Sequence, residues 1–281
     1  MSELVNQFNN QNILIYGFGK SGRACFNYLK KNNKIKIYDD KKSSIPNKLK
    51  KKSINKTKLI SIHFDRIVVS PGIDISKCTI KKYLSKNKNK IISELDIFYL
   101  NNKKNKKITI TGTNGKSTTS KLLYDVLKKH GKDVRLVGNI GNPLLSEKNI
   151  RISTIFVIEA SSYQIEYSKY FKTDFAIILN ISPDHLERHG TFKNYVNSKF
   201  RLIKSQKKNA FAFIEKNNFV LKEKLKKNKI NSKIIKVNLK ISNKIKKKIK
   251  NPYFENKSNQ NNLKFVLDIS NKLKLKKQKI L

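Results

Sequence analysis

Residues 108–127, ITITGTNGKSTTSKLLYDVL, have the residue types and spacing of a phosphate-binding turn. A β-branched run ends at Gly112, and Gly115-Lys116-Ser117 precedes an apolar pattern at helical spacing. Glycines let successive backbone N–H groups point inward, and the helix N-terminus adds its positive dipole end. Lys116 would reach nucleotide phosphates and the Ser117 hydroxyl would bind Mg²⁺. The two glycines are separated by two residues, not by the four of the general pattern, so a plain Gly-rich turn is the alternative.

Two later stretches offer side chains that suit a metal ion beside such a turn. FVIEASSYQIE (156–166) places Glu159 after a strand pattern, and ILNISPDHLERHG (178–190) places Asp184 and His185 after the next. The carboxyl ends of strands in open α/β sheets form the ligand edge, and a carboxylate with an imidazole suits a divalent cation. A helix-capping or surface histidine is the alternative for His185. Lys199, in YVNSKFRLI, follows a helical pattern, and its type alone favours a solvent-facing side chain.

The surrounding chain alternates between strand and helix patterns, which favours doubly wound α/β sheets. Residues 12–31 predict strand, Gly-rich turn and helix, and 34–40, 65–73 and 89–100 complete a first unit. Residues 101–107 are predicted to be a linker. Further strands are expected at 134–137, 154–158, 175–179 and 210–214. We expect a Rossmann-like domain over 1–100 and a P-loop-type mononucleotide-binding domain over 101–281.

The second domain has three further predicted segments. A helical pattern covers about 192–204. Residues 216–250 are dominated by lysine and are expected to form a solvated, low-complexity face with a strand near KIIKVNL. The stretch NNLKFVLDISNKLKL predicts an amphipathic helix.

The net charge of +44 raises nucleic acid as a partner. The lysines are spread through every segment beside Asn and Ile, and all three have A/T-rich codons, so composition bias explains the charge and we expect no specific nucleic-acid partner. Two cysteines are too few for a disulfide framework, which favours a reducing compartment. MSELVNQFNNQN lacks an apolar signal core, and no apolar run approaches the ~20 residues of a membrane span. The expectation is a cytoplasmic protein without a membrane partner.

Five motifs in order, TGTNGKST, GNIGNPL, IEASSYQIE, LNISPDHLERHG and SKFRLI, resemble those of the Mur ligase family. These are ATP-dependent amide-forming enzymes of peptidoglycan synthesis. SSYQIE and DHLERHG, with GFGKSGRA and VVSPGI upstream, are most similar to the members that add D-glutamate to UDP-N-acetylmuramoyl-L-alanine. The resemblance covers about residues 12–262.

The resemblance implies a role for each matching residue. Lys116 and Ser117 become ATP and Mg²⁺ residues, and Lys199 matches a lysine that the family carbamylates into a carboxylate-like metal ligand. Lys116, Glu159, His185 and Lys199 are then the catalytic set. The implied metal ligands are Ser117, Glu159, His185 and carbamylated Lys199. The implied ATP-binding residues are Gly112, Thr113, Asn114, Gly115, Lys116, Ser117, Thr118 and, near adenine, Asn259.

The same resemblance assigns the first domain to the UDP-sugar substrate. Gly17-x-Gly19-x-x-Gly22 followed by acids about twenty residues on is a dinucleotide fingerprint, which in this family holds UDP. If Asp39 only caps its strand, the uridine assignment fails. The implied substrate-binding residues are Ser21, Gly22, Asp39, Asp40, Ser70, Pro71, Gly72 and Asn139.

Two departures from the family pattern leave alternatives open. The family has a third, C-terminal domain that binds the incoming amino acid, and we expect it to be absent after Lys272-Leu273-Lys274-Leu275. Ser258 stands where the family usually has His before the adenine-side Asn. The alternatives are a complete short ligase, a truncated ligase completed by a separate polypeptide, a catalytically incomplete ATP and UDP-sugar binding fragment, and a basic nucleic-acid-binding P-loop protein.

Overall fold

The computed structural model describes residues 7–247, 249 and 251–276. Residues 1–6 lie outside the described residues; they are part of the stretch in which the sequence analysis found no signal core. Lys248, Lys250 and residues 277–281, all within the predicted second domain, also lie outside the described residues. Contacts divide the chain into two compact units. The first contains Met1–Lys103, Pro143–Lys148 and Tyr163–Phe171, and the second contains Lys104–Asn142, Asn149–Ser162 and Lys172–Leu281. The predicted domains 1–100 and 101–281 stay a prediction.

The first unit is built on a four-stranded parallel sheet with the order β2-β1-β3-β4. Its strands are β1 (Asn12–Tyr16), β2 (Lys34–Tyr38), β3 (Arg66–Val69) and β4 (Ile91–Ile92). Its helices are α1 (Lys20–Leu29), α2 (Lys56–Ser61), α3 (Lys81–Lys86) and α4 (Glu94–Asn101). The central strands are apolar runs because both faces of a parallel sheet are covered by its crossovers.

The second unit is built on a six-stranded parallel sheet with the order β10-β9-β8-β5-β7-β6. Its strands are β5 (Lys106–Thr111), β6 (Val134–Gly138), β7 (Ile155–Glu159), β8 (Phe175–Ile178), β9 (Phe211–Glu215) and β10 (Lys233–Val237). Its helices are α5 (Lys116–Lys129), α7 (Leu186–His189), α8 (Phe192–Lys204), α9 (Phe219–Lys226), α10 (Asn243–Lys246) and α11 (Lys257–Lys272). Helix α6 (Ser162–Glu166) begins in this unit and continues into the first.

Each unit has its own apolar core. In the second unit, Ile108, Ile110, Val157, Ile177 and Phe213 from neighbouring strands are buried with apolar residues of α5 and α11. Parallel α/β architecture, the helix near 192–204, the strand near KIIKVNL and the helix near the end of the described chain are all confirmed. Within the described residues, no helix combines the length and hydrophobicity that a membrane span requires.

The predicted bounds of the linker were wrong. The predicted linker 101–107 is shorter, because α4 includes Asn101 and β5 begins at Lys106. Lys107 is buried in the sheet, where its backbone N–H donates to Asp174 Oδ2 at 2.8 Å and its ammonium to Asn105 O at 2.5 Å. The lysine-rich stretch 216–250 contains α9, β10 and α10, and most of its described residues are exposed or half-buried, as expected for a solvated face. Among its apolar residues, Leu221 and Val237 are buried, whereas Phe219 is 72% exposed.

Candidate functional site

The Gly-rich turn lies at the carboxyl end of β5, where the strand order of the second sheet reverses. Strand β5 pairs with β7 on one side and β8 on the other, so the crossovers leave in opposite directions and a crevice opens above β5. Gly115 precedes α5 with φ +80°, a left-handed conformation that favours glycine. A Cβ on Gly115 would lie 2.4 Å from Asn262 Oδ1, so packing also requires glycine. The backbone N–H groups that begin α5 have no intrahelical partner, which suits an anion.

Asn180, which follows β8, supports this turn from the neighbouring loop. Its backbone carbonyl accepts from Thr113 N at 3.1 Å, and its side-chain oxygen accepts from Asn114 N at 2.8 Å. Its Nδ2 donates to Asn114 O at 3.1 Å. Asn180 was not predicted as a site residue, although it belongs to the LNISPDH motif. The turn is therefore held in shape before any ligand binds.

Two lysine side chains converge on one carbonyl oxygen of the turn. Lys116 Nζ donates to Gly112 O at 3.1 Å and to Thr113 O at 2.8 Å, and Lys199 Nζ donates to the same Gly112 O at 2.9 Å. Lys199 is only 2% exposed, so the expectation of a solvent-facing side chain from residue type alone was wrong. The pKa of Lys199 is lowered to about 7, mainly by burial and also by the Lys116 charge, while Asp184 opposes the change.

Tyr195, one turn before Lys199 on α8, contacts both Lys199 and the Gly-rich turn. The Lys199 ammonium lies 4.6 Å from the centroid of the Tyr195 ring, within the range of a cation–π contact. The Tyr195 hydroxyl lies 3.1 Å from Thr113 Oγ1. Helical periodicity explains the arrangement, since residues four apart share a face. Sequence reasoning missed Tyr195, although this spacing from Lys199 was visible.

Glu159 ends β7 and is 1% exposed. Its Oε1 accepts from Asn139 Nδ2 at 2.9 Å, and its backbone carbonyl accepts from Asn139 N at the same distance. Among the described residues, Glu159 Oε2 is buried without a hydrogen-bond partner. A buried carboxylate oxygen without a donor is costly unless a cation or another ligand binds it. Asn139 is thus tied to the predicted metal ligand of its own unit.

The two histidines of DHLERHG have different surroundings. His185 has φ +53° and immediately precedes α7, and its Nε2 lies 3.4 Å from Asp184 Oδ2. His189 is buried, and its Nε2 lies 3.0 Å from Ser162 Oγ. Burial, helped by the neighbouring Arg188 charge, lowers the pKa of His189. His189 therefore links the start of α6, three residues after Glu159, to the segment that carries His185. Sequence reasoning missed this connection.

The predicted metal ligands include only two residues of the usual ligand types, Glu159 and His185. In the described part of the chain, no three His, Cys, Asp or Glu side chains form a group that could hold a metal ion. Ser117, exposed in the first turn of α5, would add a hydroxyl. The ammonium form of Lys199 repels a cation, whereas a carbamate would supply a carboxylate. The orphaned Glu159 oxygen fits Mg²⁺, and a full set of ligands requires the modified lysine.

The predicted adenine-side residue lies in the first turn of α11. Asn259 Nδ2 donates to Tyr253 O at 2.8 Å, and the Tyr253 hydroxyl lies 3.4 Å from Thr118 Oγ1. Tyr253 is 49% exposed. Asn259 thus supports a loop that contacts the start of α5, and its neighbour Asn262 packs against Gly115.

In the first unit, the two predicted uridine contacts both bind groups of the protein. Asp39 Oδ2 accepts from Phe18 N at 2.6 Å and Oδ1 from Lys41 N at 2.8 Å. Asp40 Oδ2 accepts from the Tyr16 hydroxyl at 2.6 Å, and its Oδ1 accepts from Thr79 Oγ1. Asp39 therefore fixes the Gly17–Gly19 turn through Phe18 N. The uridine role of both residues stays a prediction.

The two predicted phosphate loops of the first unit contact each other. Ser70 Oγ donates to Gly17 O at 2.7 Å, and a Cβ on Gly22 would lie 2.0 Å from Gly17 O, so α1 approaches the turn too closely for any side chain there. Ser21 hydrogen-bonds the carboxylate of Glu94. Burial is the largest effect on Glu94 and raises its pKa. Glu94 was not predicted as a site residue, because its partners lie far away in the chain.

Comparison with known proteins agrees with this arrangement. The family described as "Mur ligase middle domain" matches residues 110–276, more than half of the chain, and "Mur ligase MurD-like, N-terminal domain" matches residues 11–93. The chain belongs to the Mur ligase family. Membership confirms the resemblance seen in the five motifs. The N-terminal match contains the four-stranded sheet, and the middle-domain match covers the six-stranded sheet from residue 110 of β5 onward.

Three curated relatives carry the same name, UDP-N-acetylmuramoylalanine--D-glutamate ligase. The protein of Wolbachia pipientis wMel is 38% identical over 71% of this chain and 40% of its own length. The protein of Caldicellulosiruptor bescii is 38% identical over 69% and 45%, and that of Elusimicrobium minutum 39% over 74% and 49%. The chain therefore spans less than half the length of these relatives.

Two solved Mur ligase structures share the fold. UDP-N-acetylmuramate-alanine ligase from Thermotoga maritima superposes with a TM-score of 0.52 and 16% identity, covering 97% of this chain and 67% of its own. UDP-N-acetylmuramate:L-alanyl-gamma-D-glutamyl-meso-diaminopimelate ligase from Neisseria meningitides gives 0.52 and 16%, covering 81% and 78%. These similarities support the parallel α/β architecture of the chain.

Proposed function

We propose that the chain carries the ATP and UDP-sugar sites of an amide ligase that joins D-glutamate to UDP-N-acetylmuramoyl-L-alanine. The observation that carries the proposal is the convergence of Lys116 and Lys199 on the Gly112 carbonyl, at the switch point of a Mur ligase sheet. The shared name of the curated relatives supports this substrate pair.

ATP is the proposed ligand of the turn over residues 112–118. The backbone N–H groups at the start of α5 would bind phosphate oxygens, and Lys116 would exchange its contacts with Gly112 O and Thr113 O for the terminal phosphates. Asn180 supports this role because it holds Thr113 and Asn114 in place. Asn259 would lie on the adenine side, where its contact with Tyr253 O stiffens the loop.

Mg²⁺ would be held by Ser117, Glu159, His185 and carbamylated Lys199. The free, buried Oε2 of Glu159 supports this set. A pKa of about 7 leaves much of Lys199 as a neutral amine near physiological pH, and only a neutral amine adds to the carbon of CO₂. The addition forms an N–C bond and releases one proton. When bound, the metal supplies positive charge that offsets the charge of the phosphates.

The proposed reaction has two steps. An oxygen of the substrate carboxylate attacks the γ-phosphorus of ATP, the bond to the bridging oxygen breaks, and ADP leaves with an acyl phosphate formed. The Lys116 ammonium neutralises the charge on the transferred group. The neutral amine of D-glutamate then attacks the acyl carbon; inorganic phosphate leaves, and the nitrogen gives its proton to solvent. The site must exclude water because acyl phosphates hydrolyse.

The first unit would bind the UDP-sugar. Ser21, Gly22 and the Ser70-Pro71-Gly72 turn are proposed to contact the phosphates, with Asp39 and Asp40 toward uridine. Open space supports the phosphate assignment, since a Cβ on Gly19 or Gly72 would meet no described atom within 4 Å. Asn139 is proposed to contact the sugar-nucleotide. We also propose domains over residues 1–100 and 101–281; the first compact unit differs from the first of these domains because it includes residues 143–148 and 163–171.

The test is phosphate release by the purified chain with Mg-ATP and UDP-N-acetylmuramoyl-L-alanine, with and without D-glutamate. D-glutamate-dependent release with an amide product would support the ligase. Lys116→Ala should lower the rate by about 10²–10³-fold, the usual cost of one lost transition-state contact. Lys121→Ala is the matched control, because Lys121 lies on the same helix, is 59% exposed and pairs only with Asp125 among the described acidic groups.

Two other outcomes would each identify an alternative. Binding of ATP and of the UDP-sugar without D-glutamate-dependent release would indicate a nucleotide-binding fragment that needs a separate polypeptide. Binding of neither nucleotide, with a steeply salt-dependent affinity for DNA that survives Lys116→Ala, would indicate a basic nucleic-acid-binding protein.

A further inference from the structure

A tyrosine far away in the sequence holds the predicted phosphate loop of the first unit. The Tyr167 hydroxyl donates to Ile73 O at 2.9 Å and accepts from Ile75 N at 3.3 Å. Tyr167, Ile73 and Ile75 are all partly buried and pack against the apolar cluster of that unit. Tyr167 is thus bonded to backbone on both sides of residue 74.

The loop that Tyr167 holds is the one that carries Ser70-Pro71-Gly72. Ser70 O accepts from Ile73 N at 3.0 Å, which closes the turn over these residues. Ser70 also donates to Gly17 O, so the Gly-rich turn before α1 depends on the same loop. A shift at Ile73 therefore moves both predicted phosphate loops, although Tyr167 itself need not touch a ligand.

The segment that carries Tyr167 is anchored two residues later by a buried carboxylate. Asp96 Oδ1 accepts from the backbone N–H groups of Lys169, Tyr170 and Phe171 at 2.7–3.0 Å. Asp96 lies in α4 and is fully buried. Because this anchor is independent of the Tyr167 hydroxyl, removal of the hydroxyl should leave the segment docked and release only loop 70–75.

We propose that Tyr167 is a positioning residue for sugar-nucleotide binding, through its two hydrogen bonds to loop 70–75. The proposal rests on the proposed function of the first unit. Tyr167→Phe keeps the ring and deletes the hydroxyl, which leaves Ile75 N and Ile73 O without this partner. Part of the binding free energy is then used to order the loosened loop, so the affinity for UDP should fall about five- to tenfold.

The experiment measures the Kd of UDP and of ATP by calorimetry for the wild type, Tyr167→Phe and Tyr170→Phe. Tyr170 is the control because it lies on the same segment with its side chain 39% exposed. We expect weaker UDP binding only in Tyr167→Phe, unchanged ATP binding in all three, and faster hydrogen exchange at the Ile75 amide. A general structural defect would instead weaken both nucleotides.

Equal UDP affinity in Tyr167→Phe and wild type would overturn the proposal and leave the proposed function intact. A parallel loss in Tyr170→Phe, or of ATP binding, would overturn it as well, because the effect would not come from loop 70–75. Failure of the wild type to bind UDP would instead refute the proposed function of this unit, and the inference with it.

Discussion

Asp96→Asn should destabilise the first unit by about 3 kcal/mol. Asp96 is fully buried, and besides the three amides at Lys169, Tyr170 and Phe171 its Oδ2 accepts from Ser93 N at 3.0 Å. This last contact completes a capping box, because Ser93 Oγ accepts from Asp96 N. One carboxylate therefore caps α4 and holds a segment more than seventy residues away in the sequence.

The magnitude follows from counting the bonds that an amide cannot make. Asparagine keeps one oxygen, and its best orientation leaves that oxygen on the three distant amides and turns Nδ2 toward Ser93 N. One buried N–H then loses its acceptor, at about 1–3 kcal/mol. The remaining bonds lose their charge assistance, which roughly halves their strength. The lower desolvation cost of a neutral side chain offsets part of the loss, which leaves about 3 kcal/mol.

Native-state hydrogen exchange at increasing urea measures this change separately in each unit. Amides in strand cores 13–16 and 67–69 report on the first unit, and those in 156–158 and 176–178 report on the second. Only the first set should lose protection in Asp96→Asn, with the amides of residues 169–171 exchanging fastest. Asp125→Asn is the control: its carboxylate is 42% exposed and pairs with Lys121, so the expected change is below about 1 kcal/mol. A loss below 1 kcal/mol in Asp96→Asn, or an equal loss in both units, would refute the reasoning.

Two further predictions concern the buried lysines. In ¹³C NMR spectra recorded in ¹³C-bicarbonate, a carbamate signal should grow between pH 6 and 8 as Lys199 loses its proton near pH 7. The signal should vanish in Lys199→Gln and persist in Lys107→Gln. A wild-type spectrum without the signal at high bicarbonate would count against the modification. For Lys107, burial lowers the pKa from 10.5 to about 8. Between pH 8 and pH 10.5 the folded state therefore binds fewer protons than the unfolded state, so the stability of the folded state rises with pH. Relative to Lys107→Met, the wild type should gain up to about 3 kcal/mol from pH 7 to 10.5 in the exchange of second-unit amides, and a constant difference would contradict the burial argument.

The phosphate-type turn was predictable because its chemistry is local. Gly112, Gly115 and Lys116 are close together in the sequence, and the strand and helix around them follow from hydrophobic periodicity. Glu159 and His185 could be placed at the same sheet edge for a similar reason, since parallel strands end on one side. The helical pattern likewise put Lys199 on the correct element, although residue type alone gave the wrong exposure.

The supports of the sites were not predictable, because they are long-range. Asn180 reaches the turn from the segment after β8, and Tyr195 reaches it from α8; a motif and a helical spacing were visible for them, but local sequence does not specify which distant residue each one contacts. Lys107 lies in a charged stretch that resembles a linker, yet it is buried in β5, where its backbone N–H donates to the distant Asp174.

The sequence by itself determined the alternation of strands and helices, the turn at residues 112–118 and the family to which the chain belongs. These depend on periodicity and on short motifs, which neighbouring residues specify. Only the tertiary structure decided that Lys199 is buried beside Lys116, that Asp39 accepts a hydrogen bond from the backbone of Phe18, and that Tyr167 belongs to the first unit. Burial and hydrogen-bond partners depend on which distant segments meet, and a single sequence does not specify those contacts locally.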